Sequence, residues 1–286
     1  ELAGWLRGIL QKQEQVTRVA VGHAQSNAWI AKDPLKGDQV DAFKLAELLR
    51  LGRVHEVYYL DDDHRQVFKQ VVRHYDDVID QQARLKRKIK ARLRSQGIII
   101  RGQRVYSPQG REPVLDRIRS SAVRQMIEQL YELLDQTRET QDAAKRLMAR
   151  QARRFPEIAR FREVPGVGLI GACRFSAYVQ NPHRFSSKRK LWRYSRLGIT
   201  DRSSDGKRRG RRRLDRSGHG RLKDMSRKAF EGAMQAKEDN AFKRCYRQSL
   251  ARTQNPTHAR LTTQRKILAV LWVMWKEGEH YRDEMG

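Results

Sequence analysis

The chain is short of cysteine, of acids and of long apolar runs, and each shortage closes off a class of protein. Two cysteines in 286 residues, Cys173 and Cys245, cannot build a disulfide framework. Neither has a second ligand at zinc spacing, so a reducing cytosol is the compartment that fits. Eight histidines (His23, His55, His64, His74, His183, His219, His258 and His280) form no HxxxH or HxxEH pattern and read as structural or surface residues. The longest strongly apolar run, Ile267 to Trp275, is about half of a bilayer span, which argues against membrane insertion and reads as a core helix. No internal repeat of fixed period occurs. The opening ELAGWLRGIL carries no basic leader or cleavage site, so export is not expected. The chain starts directly at a helix, as if the piece lacks its beginning.

Positive charge is what the chain has in excess. Lys and Arg number 61 against 33 Asp and Glu, giving a net charge of +28 and a pI near 10.7. Such a balance selects polyanions as partners, and with membranes set aside these are nucleic acids. Mean hydropathy is −0.83 and 38% of residues are apolar. With aliphatic residues recurring at helical spacing, this predicts long solvated helices rather than disorder.

Three regions follow from the pattern. Residues 1–58 read as α/β: an amphipathic helix over Leu2 to Leu10, a strand over Val16 to Val21, a helix over Asp41 to Leu51, and a short β segment over Val54 to Leu60. Residues 59–155 read as two long charged helices, 61–97 and about 113–154, joined by a turn-rich break. Val67, Val71, Val78 and Leu85 lie at near-heptad spacing, so the pair predicts an antiparallel coiled-coil hairpin. A charge-rich solvated spacer fits the same pattern, and the seven cations between Arg84 and Arg94 keep a nucleic-acid role open. Residues 156–286 alternate short helices with glycine turns, and a helix over Leu261 to Glu277 supplies core residues. The expected class is mixed α/β in front and mostly α behind.

Asp38 and Asp41 lie three apart at a helix start, on one face, where they could share a divalent cation; Asp38 as N-cap with Asp41 in the first turn is the competing reading. VPGVG (164–168), followed by LIGACRFSAYV, has the form of a turn between two helices. Pro165, Gly166 and Gly168 there would let backbone amides approach a phosphate, or would simply form a packed turn. Ser203 and Ser204 sit in DRSSDGKRRGRRR, a loop by composition. From Arg202 to Arg221 nine cations face two acids, so a hydroxyl that attacks a phosphodiester would find its developing charge balanced. The cations nearest the serines are Arg202, Lys207, Arg208, Arg209, Arg211, Arg212 and Arg213. Most serines in basic loops only touch phosphate or solvent. Trp192 and Tyr194 read as core rather than stacking platforms, and Ser217 as a turn residue.

Taken in order, GDQVDAFKLAELLR, QARLKRKIKARLRSQGI, VPGVGLIGACRFSAYVQNPHRFSSKRKLWRYSRLGIT, RSSDGKRRG and GRLKDMSRKAF resemble the insertion-sequence transposases of the one-hundred-and-ten family, over nearly the whole chain. The resemblance implies a partial RuvC-like, ribonuclease-H-type domain over 1–58, a coiled coil assembling protomers into a dimer or tetramer over 59–155, and a serine-bearing C-terminal domain with a helix-hairpin-helix-like element over 156–286. It implies that Asp38 and Asp41 are the last two acids of a magnesium-binding Asp-Glu-Asp-Asp tetrad, the first two lying upstream of this chain. It places the reactive serine on Ser204, with Ser203 the neighbouring alternative and Asp205 standing where the family has glycine. DNA, donor and target, and a structured bridge RNA are the implied partners, in a prokaryotic cytoplasm close to the nucleoid. The expected activity is cutting and rejoining of DNA. An inactive DNA- or RNA-binding remnant and a metal-only junction resolvase are the alternatives.

Overall fold

The computed structural model describes residues 2–22, 37–60, 62–204 and 207–285, those from 201 to 212 by backbone alone. His23, Asp205 and Gly206 lie outside the described residues. The described chain is mostly helical and divides into two units, residues 1–61 and 62–286. None of its helices is long and apolar enough to cross a membrane.

The first unit contains α1 (Leu2–Leu10) and α2 (Asp38–Arg50). The Arg7 guanidinium lies 4.4 Å from the centre of the Tyr59 ring, tying α1 to the segment at 54–60. The strand expected at Val16 to Val21 is not a regular strand. A single bridge joins Gly22 to Glu56, and the Val57 amide donates to the Val21 carbonyl at 2.7 Å. One pair of short extended segments holds no continuous ladder without a further neighbour, and no third partner occurs among the described residues.

The second unit is organised on α3 (Asp63–Ser95) and α5 (Ser121–Ala152). Asp62 caps α3 by accepting from the Arg65 amide, and Ser120 caps α5 through the Val123 amide. The second long helix therefore starts at Ser121, not near Pro113. Residues 98–118 are more than a loop: a 3-10 turn and α4 (Pro108–Leu115) bury Ile98, Val105, Tyr106 and Leu115 against Ile89, Leu93, Ile127 and Leu134. At the other end Phe68 and Val72 share a core with Ala144 and Met148, so the two helices run antiparallel. The buried stripe on α3 is Phe68, Tyr75, Gln82 and Ile89, while Val67, placed on the apolar seam from sequence, is exposed. Gln82, between the two cores, donates to the Thr137 carbonyl and to Gln141.

Six helices complete the unit: α6 (Pro156–Phe161), α7 (Leu169–Val179), α8 (Lys188–Tyr194), α9 (Gly220–Gln235), α10 (Ala241–Thr253) and α11 (Pro256–Glu277). Asn240 and Asn255 cap α10 and α11, each accepting from two backbone amides. The expected core helix is α11, beginning five residues before Leu261 because Asn255-Pro256 supplies a cap and a first-turn proline. It buries Ile267, Leu268, Leu271 and Met274. Trp192 and Tyr194 are half-buried, their polar tips bonded to the carbonyls of Arg265 and Tyr178, as a core role requires.

Between α8 and α9 lies the only regular sheet among the described residues. Strand β1 (Ile199–Ser204) pairs antiparallel with β2 (Lys207–Leu214). The segment read as a loop from composition is therefore a hairpin.

Candidate functional site

The hairpin carries both candidate serines. Ser203 pairs with Arg208 and Ser204 with Lys207 in the backbone ladder, and Arg202 pairs with Arg209. The register shifts between Thr200 and Arg202, so Gly210, Arg211 and Arg212 fall within an irregularity of β2. The signal that could have found this turn is Asp205-Gly206, the residue pair that two-residue hairpin connections favour. The arginine run hid it, because loops and edge strands share a polar composition.

The base of the hairpin is held by a dense set of contacts. Asp215, at its exit, accepts from the Ser217 amide and pairs with Arg193 at 2.9 Å. The Ser217 hydroxyl, with Arg193, holds the Asp215 carboxyl below the usual carboxylate range. Ser217 is thus the turn residue expected. Gly218 has φ +104 and passes close to the carbonyl of Tyr194, where a side chain would collide. His219 follows, its ring 4.0 Å from that of Tyr178, its amide bonded to the Tyr194 carbonyl and its Nδ1 buried without a partner among the described residues.

Behind His219 sits a buried ionic cluster that sequence reading missed. Asp76 of α3 is 2% exposed and accepts from Arg174 Nε of α7 at 2.8 Å and from the Tyr178 hydroxyl at 2.6 Å. Arg221, in the first turn of α9, approaches the same carboxylate at 3.4 Å and also pairs with Asp80. Burial, with Asp76 accepting its hydroxyl proton, pushes the Tyr178 phenol far up. One carboxylate on the long helix thus fixes the point where the chain leaves the hairpin.

Burial, reinforced by the positive charge of Lys69, pushes His219 down to about 4 from 6.5, outweighing the pull of Asp76. The folded protein keeps this ring neutral while the unfolded chain protonates it, so its contribution is complete above the unfolded value and declines as pH falls toward 4. Unfolding in urea should therefore show a loss of about 2 kcal/mol between about pH 7.5 and about pH 5 from this group. His219→Phe should remove that part of the slope, and a variant with the wild-type pH profile would refute the assignment.

A cleft of about 1110 Å³ opens at the foot of the hairpin, walled by β2, the start of α9 and the start of α11. Six cations line it. The turn at VPGVG uses its glycines differently from one another. Gly166 has φ +83 and sits against the backbone of α9, where any side chain would meet Ala229 and Ala233. Gly168 is the N-cap of α7, with open space before it and no side-chain cap. Pro165 is half-buried. The first-turn amides of α7 have no acceptors within the helix. They border a smaller cavity of about 330 Å³ that Lys145 and Lys228 also line.

Asp38 and Asp41 belong to the other unit. Gly37, not Asp38, is the N-cap of α2, and no side chain caps the helix; the capping reading of Asp38 is replaced by a place inside the first turn. Asp41 Oδ1 is buried and has no hydrogen-bond partner among the described residues. An unpaired buried carboxylate oxygen is the kind of oxygen donor that a hard divalent cation takes. No grouping of three or more potential metal ligands occurs among the described residues. Cys173 is buried, its thiol pushed up to about 12 by burial, and Cys245 is half-buried; both are free thiols.

Comparison with known families bears on both units. Residues 158–246, from α6 into α10 and including the hairpin and His219, match the family described as Transposase IS116/IS110/IS902 family. Residues 4–97, from α1 through the whole of α3, match the DEDD-type transposase domain of the same family. No curated relative matches the chain. With both domains of one transposase in their order along a single chain, the protein belongs to the IS110 family of transposases.

Proposed function

We propose that the chain is a DNA transposase and site-specific recombinase of a mobile insertion sequence, cutting and rejoining DNA through a serine-linked intermediate with a structured RNA as guide. The observation that carries this reading is the hairpin: two serines at consecutive ladder positions, paired with Lys207 and Arg208, on a rigidly anchored base beside a cationic cleft. In the proposed reaction the Ser204 oxygen forms a bond to phosphorus while one phosphodiester P–O bond breaks, and the departing DNA oxygen takes up a proton. Bond types are conserved, so no ATP is required. Cations from Arg202 to Arg213 balance the charge that develops on the non-bridging oxygens. Asp38 and Asp41 would hold magnesium, whose chemistry is to neutralise the phosphate and polarise its oxygens. The reading requires this acidic pair and the serine to meet at one phosphate, within one protomer or between protomers of a dimer or tetramer.

A covalent-adduct assay tests it. Full-length protein incubated with magnesium, guide RNA and DNA is expected to yield protein-linked DNA, reduced at least 10³-fold by Ser204→Ala, by analogy with removal of other covalent nucleophiles (about 10³-fold or more). Ser203→Ala should retain the adduct, and Asp41→Ala should lose it. An adduct that survives Ser204→Ala but not Ser203→Ala moves the nucleophile one residue. Cleavage that needs Asp41 and neither serine would make the protein a metal-only nuclease and end the serine mechanism.

A further inference from the structure

We propose that the cleft at the foot of the hairpin is a phosphodiester-backbone site in its own right, holding a nucleic-acid strand by charge without help from the serines or the acidic pair. The proposal rests on the transposase reading for its ligand class. The charge inventory of the cleft carries it. Arg196, Arg213, Arg216, Lys223, Arg227 and Arg260 line the walls with two acids, Asp215 and Asp224. Both acids are already matched: Asp215 by Arg193 and Ser217, Asp224 by Arg227 at 3.0 Å and Lys228 at 3.1 Å. Burial raises the Asp224 carboxyl, but the bonds from Arg227 and Lys228 outweigh it and hold it below the usual range. Arg213, Arg216, Lys223 and Arg260, by contrast, form no ion pair or side-chain hydrogen bond among the described residues.

Four cations uncompensated among the described residues, from β2, the connection after it, α9 and α11, repel one another, and a folded chain keeps such an arrangement where an anion covers it. The walls are also fixed in advance. Arg196 adopts a left-handed backbone, φ +56, which a non-glycine residue holds only where its surroundings fix it. Its Nε is bonded to the Gly218 carbonyl at 2.8 Å. Arg265 Nε ties the Leu197 carbonyl to α11 at 2.8 Å, so the hairpin base and α11 hold their separation. A preformed trough that presents four cations unpaired among the described residues suits a polymer of phosphates read without regard to sequence.

Fluorescence anisotropy without magnesium tests this, using a labelled single strand of about 20 nucleotides as DNA and as RNA, with polyglutamate as the non-phosphate polyanion. Arg216→Gln/Lys223→Gln/Arg260→Gln should make the slope of log K against log salt shallower by about 2, at about 0.7 per phosphate contact on a single strand. Arg216→Gln alone, at an exposed side chain with no partner among the described residues, should shift it by about 0.7 and guards against misfolding of the triple variant. Arg146→Gln/Arg150→Gln/Arg153→Gln, which removes equal charge from the C-terminal end of α5, should change the slope less. A DNA-only response assigns the site to donor or target, and an RNA-only response to the guide. An unchanged slope in the cleft variant, an equal change in the arm variant, or an equal effect with polyglutamate would overturn the proposal. Ser204→Ala should bind with the wild-type slope, so failure of the adduct assay and failure of this site give different results.

Discussion

Asp76→Ala should destabilise the protein by about 3–5 kcal/mol, the range seen when one partner of a buried ion pair is removed. The loss comes less from the missing attraction than from what remains: the Arg174 guanidinium, 2% exposed, would be left charged with only Asp224 nearby at 3.6 Å. The Tyr178 hydroxyl would lose its acceptor and Arg221 one of its two carboxylates. Adding Arg174→Met should restore part of the loss, because the buried charge then disappears with its partner. Urea unfolding of the single and double variants measures both. A double variant less stable than Asp76→Ala would show that the cluster stabilises by packing and not by compensating charge. Because Arg221 lies in the first turn of the helix after the hairpin, the single variant should also weaken the proposed DNA binding at temperatures where it remains folded.

Gly166→Ala should cost about 3 kcal/mol or more, while Gly168→Ala should leave stability nearly unchanged. At Gly166 an added Cβ would lie 2.5 Å from the Ala233 amide nitrogen and closer still to the Ala229 carbonyl, at φ +83. Left-handed strain and overlap with backbone each contribute about 1–3 kcal/mol. At Gly168 the backbone is extended, φ −81 and ψ 176, and open space faces it. The two glycines of one pentapeptide therefore separate packing from ligand approach. Thermal unfolding reports the first, and anisotropy with duplex DNA reports the second. If Gly168→Ala binds DNA like the wild type, the amides of α7 are not a phosphate contact.

Much of the architecture was legible because it is written locally. Long helices follow from aliphatic spacing and scarce proline, and their ends from Asp62, Ser120, Asn240 and Asn255, each acting within three residues of itself. Of the seam read on α3, Val78 is buried and Val71 and Leu85 pack against the cores, but Val67 is exposed, and the buried heptad Phe68, Tyr75, Gln82, Ile89 was not seen because its third member is Gln82. A polar side chain that satisfies itself on Thr137 and Gln141 breaks a hydrophobicity count without breaking the heptad. The hairpin was missed because its second strand is almost all cationic and its first is mostly polar.

The order of residues alone sets the chemistry on offer: a polycation with serines in its basic stretch, an acidic pair one helix turn apart, and an ordered set of motifs that point to one transposase family. Tertiary structure alone decided where those charges go. Asp76 meets Arg174 across 98 residues and Arg221 across 145, and the cleft gathers Arg196, Arg216 and Arg260 from separate elements. Local pattern encodes period and propensity, but not which carboxylate quenches which cation. That pairing is set by packing.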